Sequence, residues 1–215
     1  GQRDSWLVKL DSLGVVQWQN VVTVPGATEV LLNDIKQVPG GGYVAVGNYN
    51  INNYTSALFR SGSLGNVLWF HNIASSGSDY PLEVLNTTDK GFLIAYNSNG
   101  NISPWKTENA LGGDDIWMVK VDSLGNYLWD NTIGGIGFES PLNMSVNAVG
   151  EIFIIGTSSS PIGFDKSEMC RGSSDAWIVK LSANGVKLWD RTIGADHSDK
   201  SAGIGILPNG ELLVA

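Results

Sequence analysis

A phrase of fifteen residues returns along this chain at a nearly fixed period, and that return constrains the fold more than any local pattern does. It is clearest at 115–129, D-I-W-M-V-K-V-D-S-L-G-N-Y-L-W. It reappears at 4–18 as D-S-W-L-V-K-L-D-S-L-G-V-V-Q-W and at 175–189 as D-A-W-I-V-K-L-S-A-N-G-V-K-L-W. A worn copy spans 55–69, with Ala57 in place of the first Trp and Arg60 in place of the Lys. The internal glycine falls at Gly14, Gly65, Gly125 and Gly185, spacings of 51, 60 and 60 residues. A period of this size marks stacked units, each too thin to bury its own two faces.

Each unit reads as four short strands. In the third copy, 116–122 alternates around Trp117, Val119 and Val121, with Ile116 and Met118 filling the other face. That is a strand buried on both sides. The turn 123–126 centres on Gly125, which is free to take a positive φ, and 127–133 is rich in aromatic and β-branched residues. A glycine loop at 134–137 leads to 140–148, with Leu142, Met144 and Val146 at period two, and then to the apolar run 152–156. We name these strands by position in the unit: A (140–148), B (152–156), C (the Trp-x-Val-Lys strand) and D (the strand of the second Trp). The other A strands are expected near 30–37, 81–86 and 202–207, and the other B strands at 43–47, 92–97 and 212–215.

Four antiparallel strands repeated radially is the β-propeller pattern. A β-sandwich would show a stronger inside/outside alternation and no 60-residue echo, and β-solenoid coils are shorter. The reading divides the chain into a partial blade at 1–25, blades at 26–75, 76–135 and 136–195, and a partial blade at 196–215. Strands C and D at one end and A and B at the other would complete one further blade. The expectation is therefore either a four-bladed ring closed by pairing the ends, or a piece of a larger ring.

The blade D-x-W-[LIM]-V-K-[LV]-D-S-x-G-x-x-x-W, followed by a glycine loop, an A strand and an apolar strand ending in Gly, resembles the extracellular β-propeller repeats of Bacteroidetes-type bacterial secreted and surface proteins. In that family the D–A loop usually reads Gly-Gly-x-Gly-x-Asp-Glu; fragments of it stand at 134–139 and 194–196. The resemblance implies an extracellular or cell-surface location and a longer parent chain with flanking domains. It says little about activity, and the copy at 55–69 departs from it most.

Composition narrows the partners. The chain of 215 residues is 42% hydrophobic, with 27 Gly and only 16% charged residues, which suits a turn-rich all-β fold. No apolar run approaches the length of a membrane-spanning helix. The net charge is −8, and the 13 basic residues are scattered, so no basic patch is available to a nucleic acid. The single cysteine, Cys170, has no metal-ligand spacing around it and no internal partner.

Strand direction sorts the loops onto two faces. The A–B and C–D turns are short and glycine-centred. The B–C loops on the other face differ, brief at 48–53 but long at 98–114 and 158–174. Variable loops on a rigid scaffold are where binding resides. The loop 98–114 offers Asn101, Trp105, Lys106, Glu108 and Asn109, and a Trp among amides suits a sugar ring or a peptide; alternatively, Trp105 and Phe164 pin the long loops onto the blade. The loop 158–174 offers Phe164, Asp165, Lys166, Glu168 and Arg171. At the start of each A strand stand Glu29, Asp79, Glu139 and Asp199. Such a ring of carboxylates could hold Ca²⁺ through oxygen ligands. Alternatively, each satisfies N–H groups of its own loop or pairs with Lys9, Arg60, Lys120 or Lys180. No other cofactor is implied.

Catalysis finds little support. His71 and His197 have no nucleophile partner at a motif spacing, and no G-x-S-x-G, P-loop or dinucleotide fingerprint occurs. A carboxylate pair among Asp79, Asp114, Asp115, Glu139 and Asp199 would be the machinery of a polysaccharide hydrolase. The expected function is non-catalytic: a binding or spacer module holding a protein or glycan in its variable loops. A hydrolase and a purely structural scaffold are the alternatives.

Overall fold

The computed structural model describes residues 3–215. Its elements are all strands: β1 (Ser5–Leu10), β2 (Val16–Val22), β3 (Glu29–Gln37), β4 (Tyr43–Asn50), β5 (Tyr54–Ser61), β6 (Val67–Asn72), β7 (Asp79–Asn86) and β8 (Phe92–Ser98). They continue with β9 (Asp115–Val121), β10 (Tyr127–Ile133), β11 (Glu139–Val146), β12 (Ile152–Ser158), β13 (Asp175–Leu181), β14 (Lys187–Ile193), β15 (Ile204–Ile206) and β16 (Leu212–Val214). Three four-stranded antiparallel sheets follow chain order, β3-β4-β5-β6, β7-β8-β9-β10 and β11-β12-β13-β14. The fold is a β-propeller built of these four-stranded blades. No helix among the described residues is long and apolar enough to cross a membrane.

The A strands β3, β7, β11 and β15 lie side by side and form the inner edge. Polar side chains lace them together. Val84 N–H donates to Asp34 Oδ2 at 3.0 Å, Met144 N–H to Glu83 Oε2 at 2.7 Å, and Ile204 N–H to Asn143 Oδ1 at 3.0 Å. Each complete A strand also carries a bulge, at Asn33, Leu82 and Leu142. The bulge leaves one residue unpaired and twists the strand.

Between blades the repeated phrase has a definite task. Gly65, Gly125 and Gly185 all have φ near +80°. A side chain there would also strike the preceding blade: Trp18 over Gly65, Trp69 and His71 over Gly125, and Trp129 over Gly185, each within 3 Å of where a Cβ would stand. The second Trp of the first three phrases is thus a staple laid across the next blade's C–D turn. The residue two beyond it adds a hydrogen bond: Asn20 to Leu64 O, His71 to Leu124 O at 3.1 Å, and Asn131 to Gly185 O at 2.6 Å. One apolar cluster fills the space between the first two complete blades and another the space between the second and third.

The end hairpins β1-β2 and β15-β16 are two separate sheets. The pairing of β1 with β16 that would close a four-bladed ring is therefore not made among the described residues.

Candidate functional site

The B–C and D–A loops share one end of the propeller. Asp165 N–H donates to Gly134 O at 3.1 Å, Ser159 N–H to Phe138 O at 2.9 Å, and Gly113 N–H to Gly137 O at 2.7 Å, so the long loops and the loop at 134–138 form one hydrogen-bonded surface.

The two long loops are built alike, which the sequence reading missed. Each turns back through a two-residue hairpin, closed by Ser103–Lys106 in one and Gly163–Lys166 in the other. Each then plunges a lysine inward. Lys106 is fully buried, its Nζ 3.0 Å from Ser98 Oγ and 5.4 Å from the Trp117 ring. Lys166 is buried likewise, its Nζ 2.6 Å from Thr192 Oγ1 and 5.3 Å from the Trp177 ring. The far side of each indole is held by the aspartate after the second Trp: Trp117 Nε1 donates to Asp130 at 2.9 Å and Trp177 Nε1 to Asp190 at 3.0 Å. Those aspartates also receive the N–H of Thr107 and Ser167, and Glu108 and Glu168 receive the N–H of Thr132 and Thr192. The signal was present as K-[TS]-E at 106–108 and 166–168, one period apart. Lys106 is consequently not a surface contact. The aromatic face and the buried carboxylates around it replace water, while burial holds its pKa below the usual lysine value.

Trp105 follows the pinning alternative rather than the platform. It is half-buried against the core between blades, edge-on to Tyr127 at 5.9 Å, and pins its loop. Asn101 is exposed, but its N–H is tied to Ser76 Oγ at 2.9 Å, away from the other candidates.

Glu108, Phe164 and Asp165 do come together. With Asn109, Leu111, Asn131 and Thr132 they line a groove of about 490 Å³ between the two long loops. Phe164 is 66% exposed and takes φ +51°, a left-handed conformation that costs a non-glycine residue roughly 1–2 kcal/mol. Its neighbour Asp165 turns inward to accept from Gly134 N–H at 3.2 Å. Burial pushes the Asp165 carboxyl above the usual range; Gly134 N–H and Lys187 oppose this and Glu108 adds to it. Thr132 Oγ1 is buried without a hydrogen-bond partner, whereas its counterpart Thr192 is taken by Lys166.

The four acids at the A-strand starts do not share a site. Asp79 accepts from Ser75 N–H at 2.6 Å, Ser75 Oγ and Ser98 Oγ. Glu139 accepts from Gly135 N–H at 2.8 Å and from the hydroxyls of Ser158 and Ser160. Asp199 accepts from Ala195 N–H at 2.6 Å, and Glu29 takes the Tyr54 hydroxyl and faces Arg3 at 3.7 Å. Each acid ties down its own blade's D–A loop or strand start. Among the described residues no group of three or more His, Cys, Asp and Glu is placed to hold a metal. Three of the basic residues expected as alternative partners serve the opposite end: Lys120 pairs with Asp89, Lys180 with Glu151, and Arg60 donates to the carbonyls of Gly41, Tyr43 and Ser61.

Of the carboxylates considered for hydrolysis, Asp115 and Glu139 approach each other. Asp115 Oδ1 and Glu139 Oε2 both lie within 2.9 Å of the point where a Cβ on Gly134 would stand. Both residues are buried, and Asp115 Oδ1 has no partner. Burial pushes the Asp115 carboxyl up to about 6, opposed by Leu111 N–H and reinforced by Glu139. Asp114 receives Asn99 Nδ2 at 3.0 Å.

No family model matches the chain, and no curated protein does. Among solved structures, a Synechocystis apocarotenoid oxygenase variant matches with a TM-score of 0.46 at 11% identity, over 76% of this chain and 39% of that one. An ACO/RPE65 chimera matches with a TM-score of 0.44 at 10% identity, over the same shares. The chain thus spans about two-fifths of the structures it resembles.

Proposed function

We propose that this chain is a non-catalytic binding module: a propeller displayed outside a bacterial cell within a longer secreted or surface protein, holding a glycan or protein in the groove between its two long loops. The carrying observation is Phe164. An exposed aromatic held at positive φ on the rim of a polar groove does nothing for the core. It offers a flat apolar surface, with Glu108, Asn109 and Asn131 beside it as hydrogen-bonding groups.

Support for binding over hydrolysis comes from the state of the acids. Asp79, Glu139 and Asp199 accept hydrogen bonds from their own loops, and Asp115 and Glu139, which approach each other, are both buried. A glycosidase pair needs both carboxyls open to the same substrate.

The test is a binding screen of the intact chain against a glycan array and candidate surface proteins, repeated with Phe164→Ala. A ligand that loses at least tenfold in affinity supports the groove. Ligands that bind the variant and the parent equally would overturn it.

A further inference from the structure

A second aromatic-flanked hollow, of about 520 Å³, lies on the axial side of the same face. Tyr80 and Phe138 stand on its rim, 55% and 66% exposed, above Asp114, Ser140 and Thr157. Neither aromatic belongs to the repeat. One period on from Tyr80 is Ser140, and one period either side of Phe138 are Ser78 and Ser198. The scaffold therefore does not need them.

Phe138 is nevertheless held firmly. Its N–H donates to Ser159 Oγ and its carbonyl accepts from Ser159 N–H, both at 2.9 Å. Its neighbours are fixed as well, Gly137 N–H by Ser160 Oγ at 2.8 Å and Glu139 N–H by Asp114 O at 2.7 Å. The ring lies over Gly113, within 2.6 Å of where a Cβ would stand, so any side chain at 113 would displace it. An aromatic fixed in this way keeps its exposed face without ordering cost on binding.

The loop that carries Phe138 also forms the wall of the groove at Phe164, because Gly134 bonds to Asp165 through both its N–H and its carbonyl. Four residues of chain separate the two attachment points, so they lie at most roughly 14 Å apart. We propose that the hollow at Tyr80 and Phe138 is a second subsite for the ligand held at Phe164, and that this ligand is a neutral oligosaccharide long enough to reach both. The proposal rests on the binding reading above. A pyranose ring presents an apolar C–H face to an aromatic and hydroxyls at its edge, and each subsite offers that combination. The acid groups at both subsites, Glu108 and Asp165 at one and Asp114 and Glu139 at the other, together with a net charge of −8, disfavour an anionic glycan.

Titration calorimetry with neutral gluco- and manno-oligosaccharides of two to six residues tests this, with a sulfated oligosaccharide as the opposed probe. Affinity is expected to rise by about tenfold or more once the chain spans both subsites. A Tyr80→Ala/Phe138→Ala variant should lose that gain and still bind the shortest chains as the parent does. Both side chains are exposed, so unchanged circular dichroism and melting would show the variant folded. Short chains that need Phe164, with no gain on lengthening, would sink the second subsite and leave the first reading standing. Binding that depends on Tyr80 and Phe138 but not on Phe164 would sink the first reading. Binding of the sulfated probe alone, of a protein alone, or of no oligosaccharide would overturn the proposal.

Discussion

The blade β3–β6 and the blade β7–β10 have the same strands in the same order, yet only one carries a long loop over its outer half. In the second, Trp117 fills the start of strand C, Lys106 covers its face, and Asp130 holds its nitrogen. In the first, Ala57 stands where the Trp would be, residues 51–53 make a short connection, and Phe70 replaces the aspartate. In these two blades the whole set is present or absent together. The difference teaches that the long loop is held by one aromatic and by charges that are tolerable in the interior only as a group.

The largest effect expected from breaking that set is Trp117→Ala. It should destabilise the chain by about 3–5 kcal/mol, the usual cost of emptying a large aromatic site. The loop at 98–114 should then be cut by protease at low concentration, while the connection at 51–53 should stay intact. Urea unfolding and limited proteolysis check both. Equal protection of the two loops in the variant would mean that the indole does not anchor this one.

Lys106→Met comes next. It keeps the packing volume but removes the cation nearest buried Asp79 and Asp115, for a loss of about 3 kcal/mol. Arg60→Met, at the strand-C position that holds Lys120 in the second blade, removes only bonds to carbonyls and should cost about 1.5–2 kcal/mol. A larger loss for Arg60→Met would reverse the comparison.

The third prediction concerns pH. Asp115 has its folded pKa raised to about 6, against about 3.9 unfolded. Between these values the native state holds more protons than the unfolded chain, so stability is greatest below pH ~4 for this group and falls as pH rises through ~6, by roughly 2–3 kcal/mol in all. The first blade has uncharged Thr55 at this position. Asp115→Asn should flatten that part of the stability profile, measured by urea titrations from pH 4 to 7. A profile unchanged by the substitution would remove Asp115 as its source.

The smallest effect separates two glycines of the repeat. Gly14 and Gly125 have nearly the same φ, +81° and +83°, but a Cβ on Gly14 meets nothing within 4 Å while one on Gly125 meets Trp69 and His71. Gly14→Ala should cost about 1 kcal/mol from backbone strain alone. Gly125→Ala should cost about 1–2 kcal/mol more, from the displaced staple. Equal melting shifts would show that the staple yields without cost.

The repeat made the blades legible. Strand period, glycine turns and the second Trp are local or nearest-neighbour features, and each is written once per unit, so a sequence carries them redundantly. Phe164 and Asp165 could be placed by the same register at the end that carries the B–C and D–A loops. Lys106 could not be placed by it. A lysine in a long polar loop reads as solvated, and only the ring of Trp117, packed beneath the loop after folding, gives it an interior position. The acids at the A-strand starts stayed open between two readings for a related reason. Equal spacing along the chain says that Glu29, Asp79, Glu139 and Asp199 occupy equivalent positions, but it does not say whether their oxygens face a common axis or their own loops. Sequence alone thus determined the unit, its strands and the face on which the loops lie. Tertiary structure decided which charges are buried and which aromatics remain on the surface, because burial depends on what each loop meets from elsewhere in the chain.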